Sequence, residues 1–386
     1  KGARKFRFEV IGKFLEKKAH ETVLEINLNA LTHNLKLYQS LLKPETKIMA
    51  MVKAFSYGSG SFEIANQLQF NRVDYLAVAY ADEGVELRKN GITLPIMVMN
   101  PEQRSFESMI QYNLEPEIYS LSLLEKFSEV LALLRGPEDK YKIHLELETG
   151  MNRLGFVKEE IPALLEKIKA NPQLQIASVF SHLAASEDKA YDEFTKEQIK
   201  NFEALSKTIC DAFDYKILRH ILNSNGITRH TKAQFDMVRL GIGLYGIDSS
   251  QKIGGQLMNV STLKTTISQI KHVKKGDTVG YGRVGKVSKD KTIATVGIGY
   301  ADGLSRKLSD KNGRMLVNGK LVPVIGNVCM DMTMLDITGV DAHAGDEVIV
   351  FGNNPTVEEV AEAAETIPYE ILTGISARVK RIYFQE

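Results

Sequence analysis

The chain has 386 residues, 44% of them hydrophobic and 25% charged, with a formal net charge of +1. That balance describes a globular protein and excludes a disordered, fibrous or polyanion-seeking one. Two cysteines, Cys210 and Cys329, are too few for a disulfide framework and too far apart for a metal motif, so a reducing, cytoplasmic address without a bound metal is expected.

The chain opens KGARKFRFEVIGKFLEKK, basic and amphipathic but without the apolar centre of a secretory signal. It starts at Lys1, not Met, and residues 1–21 are expected to be a linker or the remnant of a preceding domain. Short apolar runs then recur at 47–53, 75–80, 95–100, 114–120, 143–149, 175–182, 216–223 and 236–241. Amphipathic helical patterns fill 62–69, 81–90, 122–134, 161–170 and 193–213. Strands alternating with helices in this number predict an α/β fold, a (β/α)8 TIM-type barrel over residues 22–257. A doubly wound sheet is the rival, but it usually has fewer strands and a glycine-rich first turn. No apolar run approaches the roughly 20 residues that span a bilayer.

Beyond residue 255 the rhythm changes. Runs at 261–273, 292–300, 315–326, 332–337 and 346–352 are rich in Val, Ile and Thr, and Asn318-Gly319 between two of them signals a type I′ hairpin. Residues 258–386 are therefore expected to form a mostly-β domain, with a helix at 357–367 and a last strand at 377–385.

A barrel carries its chemistry where strands end. Lys53 stands at such an end in AMVKAFSYGSG, where it is either a solvated lysine or a reactive amine over a pocket. Strand five ends in His144, Glu146 and Glu148 followed by Arg153, strand six in His182, strand seven in Asn223-Ser224-Asn225-Gly226, and strand eight in Arg239-Leu240-Gly241-Ile242. This mixture of amine, imidazole, guanidinium, hydroxyl and backbone amides suits pyridoxal 5'-phosphate. That cofactor needs a lysine for its Schiff base, a partner for its ring nitrogen and donors for its phosphate. Ser224 with the amides near Gly241 and Ile242 could supply the last.

In order, VKAFSYGSG, LETGMNRLG, FSHLAAS, LNSNGI, MVRLGIGLYG, TVGYGR, VGIGYADGL and NVCMDMTMLDI resemble the alanine racemase family, from about residue 22 to the end. The resemblance implies that the chain interconverts L- and D-alanine with pyridoxal 5'-phosphate and supplies D-alanine for peptidoglycan. It implies that Lys53 holds the cofactor and acts as base on D-alanine, while Tyr281 is the base for L-alanine. Tyr57, Ser224, Gly241 and Ile242 would bind the phosphate, Arg239 would face the pyridine nitrogen, and His182 would lie near the ring. Arg153 would bind the phenolic oxygen and the substrate, with Met330 helping to hold the carboxylate. Tyr300, Asp302 and Arg306 would line an access corridor. In the family the tyrosine comes from a partner subunit, so a homodimer with shared sites is implied.

The chemistry agrees with these roles. Racemisation removes a proton from one face of Cα and returns one to the other, and lysine and tyrosine, near 10.4 and 10 in model peptides, must both be lowered to act near neutrality. A guanidinium opposite the ring nitrogen keeps its own proton and leaves that nitrogen unprotonated, which weakens the electron sink and should limit side reactions.

Two positions depart from the family pattern. Many relatives carry a carbamylated lysine where Glu146 stands, and Glu146 is expected to pair with Arg153 with no modification. Ala377 replaces a tyrosine of the corridor. The first residues resemble the tail of a Mur ligase that adds D-alanyl-D-alanine. A racemase of broader specificity, for instance on serine, is the alternative; a decarboxylase of the same architecture would carry a glutamate in place of Arg239, and a cofactor carrier would lack the second domain.

Overall fold

The computed structural model describes residues 21–385. The expected linker and its resemblance to a ligase tail therefore lie outside the described residues, save for Glu21. The chain divides into two compact units, residues 27–260 and residues 261–382, the latter joined by the segment that ends at Ile26.

The first described strand, β1 (Val23–Asn27), does not enter the barrel. It pairs antiparallel with β10 (Ser261–Val273), Leu24 facing Leu263, so residues 22–26 belong with the second unit although the sequence pattern starts the barrel at 22. Thr22 secures the join by donating to the Gly297 carbonyl at 2.7 Å.

The barrel unit has eight parallel strands: β2 (Lys47–Met51), β3 (Tyr75–Val78), β4 (Ile96–Val98), β5 (Glu115–Ile118), β6 (Tyr141–Glu146), β7 (Leu174–Phe180), β8 (Leu218–His220) and β9 (Met237–Leu240). They run β8-β7-β6-β5-β4-β3-β2-β9, each strand beside its chain neighbour. The ring closes through the amides of Asp236 and Arg239, which donate to the carbonyls of Arg219 and Leu222 at 3.0 and 2.9 Å. Most of the strands are buried on both faces, β3 (YLAV) and β4 (IMV) throughout, and so read as apolar runs rather than alternations.

The helices between the strands form for local reasons. Leu121–Leu134 starts at Ser120, whose hydroxyl accepts the Leu123 amide, and buries Leu123, Leu124, Phe127 and Leu131 along one stripe. Ile161–Ala170 begins with proline in its first turn and buries Ile161, Leu164 and Ile168. Each such side chain, once fully buried, contributes about 1.5–3 kcal/mol. Helix Leu28–Ser40 presses Tyr38 so closely on Gly243 that a Cβ there would lie 2.2 Å from the phenol oxygen. No described helix is long and apolar enough to cross a membrane.

In the second unit β10 bends at a bulge between Ile267 and Gln269. Its first half pairs with β1 and with strand Glu347–Phe351, its second half with strand Lys291–Val296. Strands Arg314–Val317 and Lys320–Pro323 form the expected hairpin, with Asn318 and Gly319 at φ 45° and 78°, both positive as a type I′ turn requires. Thr356 and Glu359 cap helix Val357–Ala363 reciprocally, and the last strand, Lys380–Phe384, lies beside β1.

Candidate active site

Lys53 follows β2 and opens a turn of unusual hand. Ala54, Phe55, Ser56 and Tyr57 all have positive φ, 52°, 55°, 50° and 52°, so the chain makes a left-handed helical turn without glycine until Gly58. Left-handed residues cost about 1–2 kcal/mol each, so the surroundings must hold the turn. The Glu83 carboxylate does this from the first turn of helix Ala81–Lys89, after β3, accepting the amides of Ala54 at 2.6 Å, Ala79 at 2.7 Å and Tyr80 at 3.2 Å. The Gly60 amide closes the other end on the Phe55 carbonyl at 2.9 Å. Burial lowers the pKa of the Lys53 amine and the Arg153 charge lowers it further, with Glu83 and Glu117 pulling the other way. The lysine is thus moved toward the neutral form a base requires.

Tyr57, Ser224, Gly241 and Ile242 come together on the same unit. The Ser224 hydroxyl accepts the Gly241 amide at 2.9 Å and the Gly243 amide at 3.3 Å. A Cβ on Gly241 would lie 2.8 Å from the Tyr57 hydroxyl, so glycine is what allows the phenol this close. Tyr57 in turn packs against Tyr245, ring centroids 4.7 Å apart. Hydroxyls and amides gathered with no carboxylate among them are the donor set a phosphate group needs, so these residues fit the phosphate end of pyridoxal phosphate.

Arg239 is buried, 2% exposed, on β9. Its Nη1 donates to His220 Nδ1 at 2.8 Å, and its Nη2 to the Ser181 carbonyl at 2.7 Å and to His182 Nδ1 at 3.1 Å. Phe180 lies under the guanidinium at 5.0 Å. Burial pulls the Arg239 pKa down to about 10, against the charge of Glu146, and it stays a cation at neutral pH. Burial and the charge of Arg239 hold the His182 imidazole well below its usual pKa, and hence neutral.

Glu146, at the end of β6, lies 4.0 Å from Arg153 Nη2, its carboxylate facing that guanidinium. A second acid adjoins it. Glu117 on β5 is 1% exposed, and one oxygen of each carboxyl lacks a protein partner unless the two share a proton. Burial, a hydrogen bond to Glu146 and the Glu146 charge push the Glu117 pKa well up, so Glu117 is the protonated member. Glu117 is not among the residues the sequence singles out, although the two acids of LEPEIYS, Glu115 and Glu117, were the signal. Nor does it single out His220 or Glu83. Glu148, the second acid of the strand-five group, lies outside the strand and holds the following loop by accepting the amides of Gly150 and Asn152.

The second unit presents the remaining residues. Tyr281 sits on a tight turn after Gly280 (φ 78°), 73% exposed, with its carbonyl held by Asn327 at 3.0 Å. Met330 is 54% exposed in the loop that receives the amides of Tyr300 and Ala301 on the carbonyls of Cys329 and Met330. Gly299 permits that contact, since a Cβ there would lie 2.3 Å from the Met330 oxygen. Tyr300 and Arg306 are exposed, whereas Asp302 is fully buried. Its carboxylate accepts the Gly299 amide at 2.9 Å and Arg378 Nε at 2.6 Å, so it braces the turn and does not line an open surface. Arg378 also reaches Asp331 at 2.8 Å, beside the Ala377 position.

Residues 26–249 match the alanine racemase N-terminal domain, and residues 260–383 match the alanine racemase C-terminal domain. The chain belongs to the alanine racemase family. It is 39% identical over 376 residues to an alanine racemase of Clostridium tetani, covering 94% of this chain and 95% of that one. Alanine racemase 2 of Caldanaerobacter subterraneus is 37% identical over 372 residues, covering 94% of each. Among solved structures, alanine racemase of Clostridium difficile 630 superposes with a TM-score of 0.88 at 36% identity, covering 95% of this chain and 96% of that one. A complex of that racemase with cycloserine gives 0.87 at 36% identity, with the same coverage. The barrel followed by a mostly-β domain is thus the architecture of alanine racemases, and the chain is an amino-acid racemase acting on alanine.

Proposed function

We propose that the chain racemises alanine with pyridoxal 5'-phosphate held on the barrel unit, using Lys53 and Tyr281 as its two bases. The observation that carries this reading is the Lys53 amine, lowered toward neutrality at the end of β2, on the same barrel unit as a donor cluster that suits a phosphate. Lys53 would bind the cofactor covalently. Ser224, Tyr57 and the amides of Gly241 and Ile242 would hold its phosphate, Arg239 its ring nitrogen, and His182 would lie beside the ring. When bound, the group supplies the electron sink that makes the alanine Cα–H acidic.

The protein's own residues then move the proton. Lys53 Nζ takes it from D-alanine, or returns it when D-alanine forms. Tyr281 Oη does the same for L-alanine on the opposite face. Arg153 orients the substrate, the Met330 amide supports its carboxylate, and Glu146 keeps Arg153 in place. Tyr300, Arg306 and the turn braced by Asp302 would form the way in. Tyr281 stands out from its own unit, 73% exposed, and this supports a homodimer in which it serves the partner's barrel. Both cysteines are free, in keeping with a reducing, cytoplasmic setting. The D-alanine formed would supply peptidoglycan synthesis.

The test is direct. The purified protein with added cofactor should absorb in the visible and form D-alanine from L-alanine, and Lys53→Ala should abolish both. Unchanged colour and turnover in Lys53→Ala would remove the lysine from the mechanism.

A further inference from the structure

The interior of this barrel is not filled by apolar side chains alone. Tyr75, Glu115, His144, Ser178, His220 and Arg239 come from six different strands, and five of the six are joined in one line by hydrogen bonds of 2.7–2.9 Å. Arg239 Nη1 lies 2.8 Å from His220 Nδ1, His220 Nε2 lies 2.8 Å from Ser178 Oγ, Ser178 Oγ lies 2.7 Å from His144 Nδ1, and His144 Nε2 lies 2.9 Å from Glu115 Oε2. His144, Ser178 and His220 are fully buried, Arg239 is 2% exposed and Glu115 9%.

The donors in this chain can be assigned from its ends. A guanidinium has no acceptor, so Arg239 must donate and His220 Nδ1 must accept. A neutral His220 then carries its hydrogen on Nε2 and donates to Ser178. The Ser178 hydroxyl, having accepted, donates its one hydrogen to His144 Nδ1. His144 carries its own hydrogen on Nε2 and donates to the Glu115 carboxylate. Every link has one hydrogen, and all four point the same way. If either imidazole were protonated on both nitrogens, one link would hold two hydrogens. Burial and the charge of Arg239 hold the His220 pKa well below its usual value, which agrees with a neutral ring. The Tyr75 hydroxyl also hydrogen-bonds Glu115, and Lys142 Nζ lies 3.8 Å from its other oxygen, so the far end of the chain is an acceptor supplied with donors.

We propose that Glu115 is a positioning residue for Arg239, acting through the one-directional relay His144–Ser178–His220 that crosses the barrel interior. Its carboxylate selects the ring form of His144, which leaves the Ser178 hydrogen pointing to that ring and so leaves Ser178 Oγ free to accept from His220. The lone pair of His220 Nδ1 is thereby fixed on Arg239, and the guanidinium is held in one orientation. This rests on the reading of Arg239 as the partner of the cofactor's ring nitrogen. Polarised chains of this kind are apportioned only by double-mutant cycles.

Nitrogen-15 NMR of the histidine rings in the cofactor-loaded protein should show His144 and His220 neutral with the hydrogen on Nε2. A doubly protonated ring, or a hydrogen on Nδ1 of either, overturns the relay. Ser178→Ala and Glu115→Ala should each lower kcat by about tenfold with KM little changed, the scale on which partners that orient a histidine act. The double variant should lose no more than either single one, and Glu115→Gln, which keeps an acceptor oxygen, should recover most of the loss. Additive losses, or no loss in either single variant, would overturn the proposal. Wild-type protein that never gains visible absorbance from the cofactor would instead sink the reading of the site beneath it, while the ring NMR of that same protein still decides the relay.

Discussion

Glu117 shows how one side chain ties the site to stability. It is almost wholly buried and keeps its proton to a higher pH than the ordinary carboxyl value of 4.5, because burial and Glu146 disfavour a second charge. The unfolded chain has no such constraint. Above the unfolded pKa the folded state therefore binds more protons than the unfolded one, and stability falls as pH rises through that interval. Glu117→Gln keeps a donor for Glu146 but does not titrate. Its denaturant midpoint should exceed that of the wild type by a margin that is smallest at about pH 4.5 and grows toward neutrality. A margin that does not change with pH would show that Glu117 and Glu146 do not share a proton. The relay has the same character at this scale, since Arg239 is defined by residues that are not its sequence neighbours.

The turn that follows Lys53 is the element on which the site depends. Read as a right-handed helix, Ala54→Gly should destabilise it. Read as the left-handed turn observed, with Ala54 at φ 52° and ψ 53° and exposed, glycine relieves strain. We expect Ala54→Gly to stabilise the protein by about 0.5–1 kcal/mol in denaturant unfolding, and a loss of similar size would contradict the left-handed geometry. This hand was not legible in KAFSY, which has no glycine until Gly58. The turn is imposed from outside by Glu83, some 30 positions along the chain. Most of the strands were legible because they are largely buried and their runs are mainly apolar. Helix Leu28–Ser40 was passed over although its signal is present: Asn27 accepts the Ala30 amide, and Ala30, Leu31, Leu35 and Tyr38 are buried along one side. What could not be read was the polar layer inside the barrel. Glu115, Ser178 and His220 each look like a chance interruption of an apolar strand, and only the closed ring brings them to one line.

At the scale of the whole molecule, ordered motifs spread over nearly the full length made the family visible in the sequence. They did not reveal which side chains brace and which face outward: Asp302 was expected along the corridor and is buried against Arg378. The proposal that Tyr281 serves a partner's barrel can be tested by mixing. Lys53→Ala and Tyr281→Phe subunits should each fail to racemise alone, but a mixed dimer would contain one site with both native residues. Co-expressed at equal levels they should regain about a quarter of wild-type activity, since random pairing makes half the dimers mixed. No regained activity would place both bases on one subunit.

The central claim is that two residues handle the Cα proton on opposite faces. In deuterium oxide, Tyr281→Phe should retain the visible absorbance of bound cofactor and still exchange the Cα hydrogen of D-alanine through Lys53, while failing to exchange that of L-alanine and failing to racemise either. Racemisation at the wild-type rate, or exchange of L-alanine as fast as D-alanine, would contradict it.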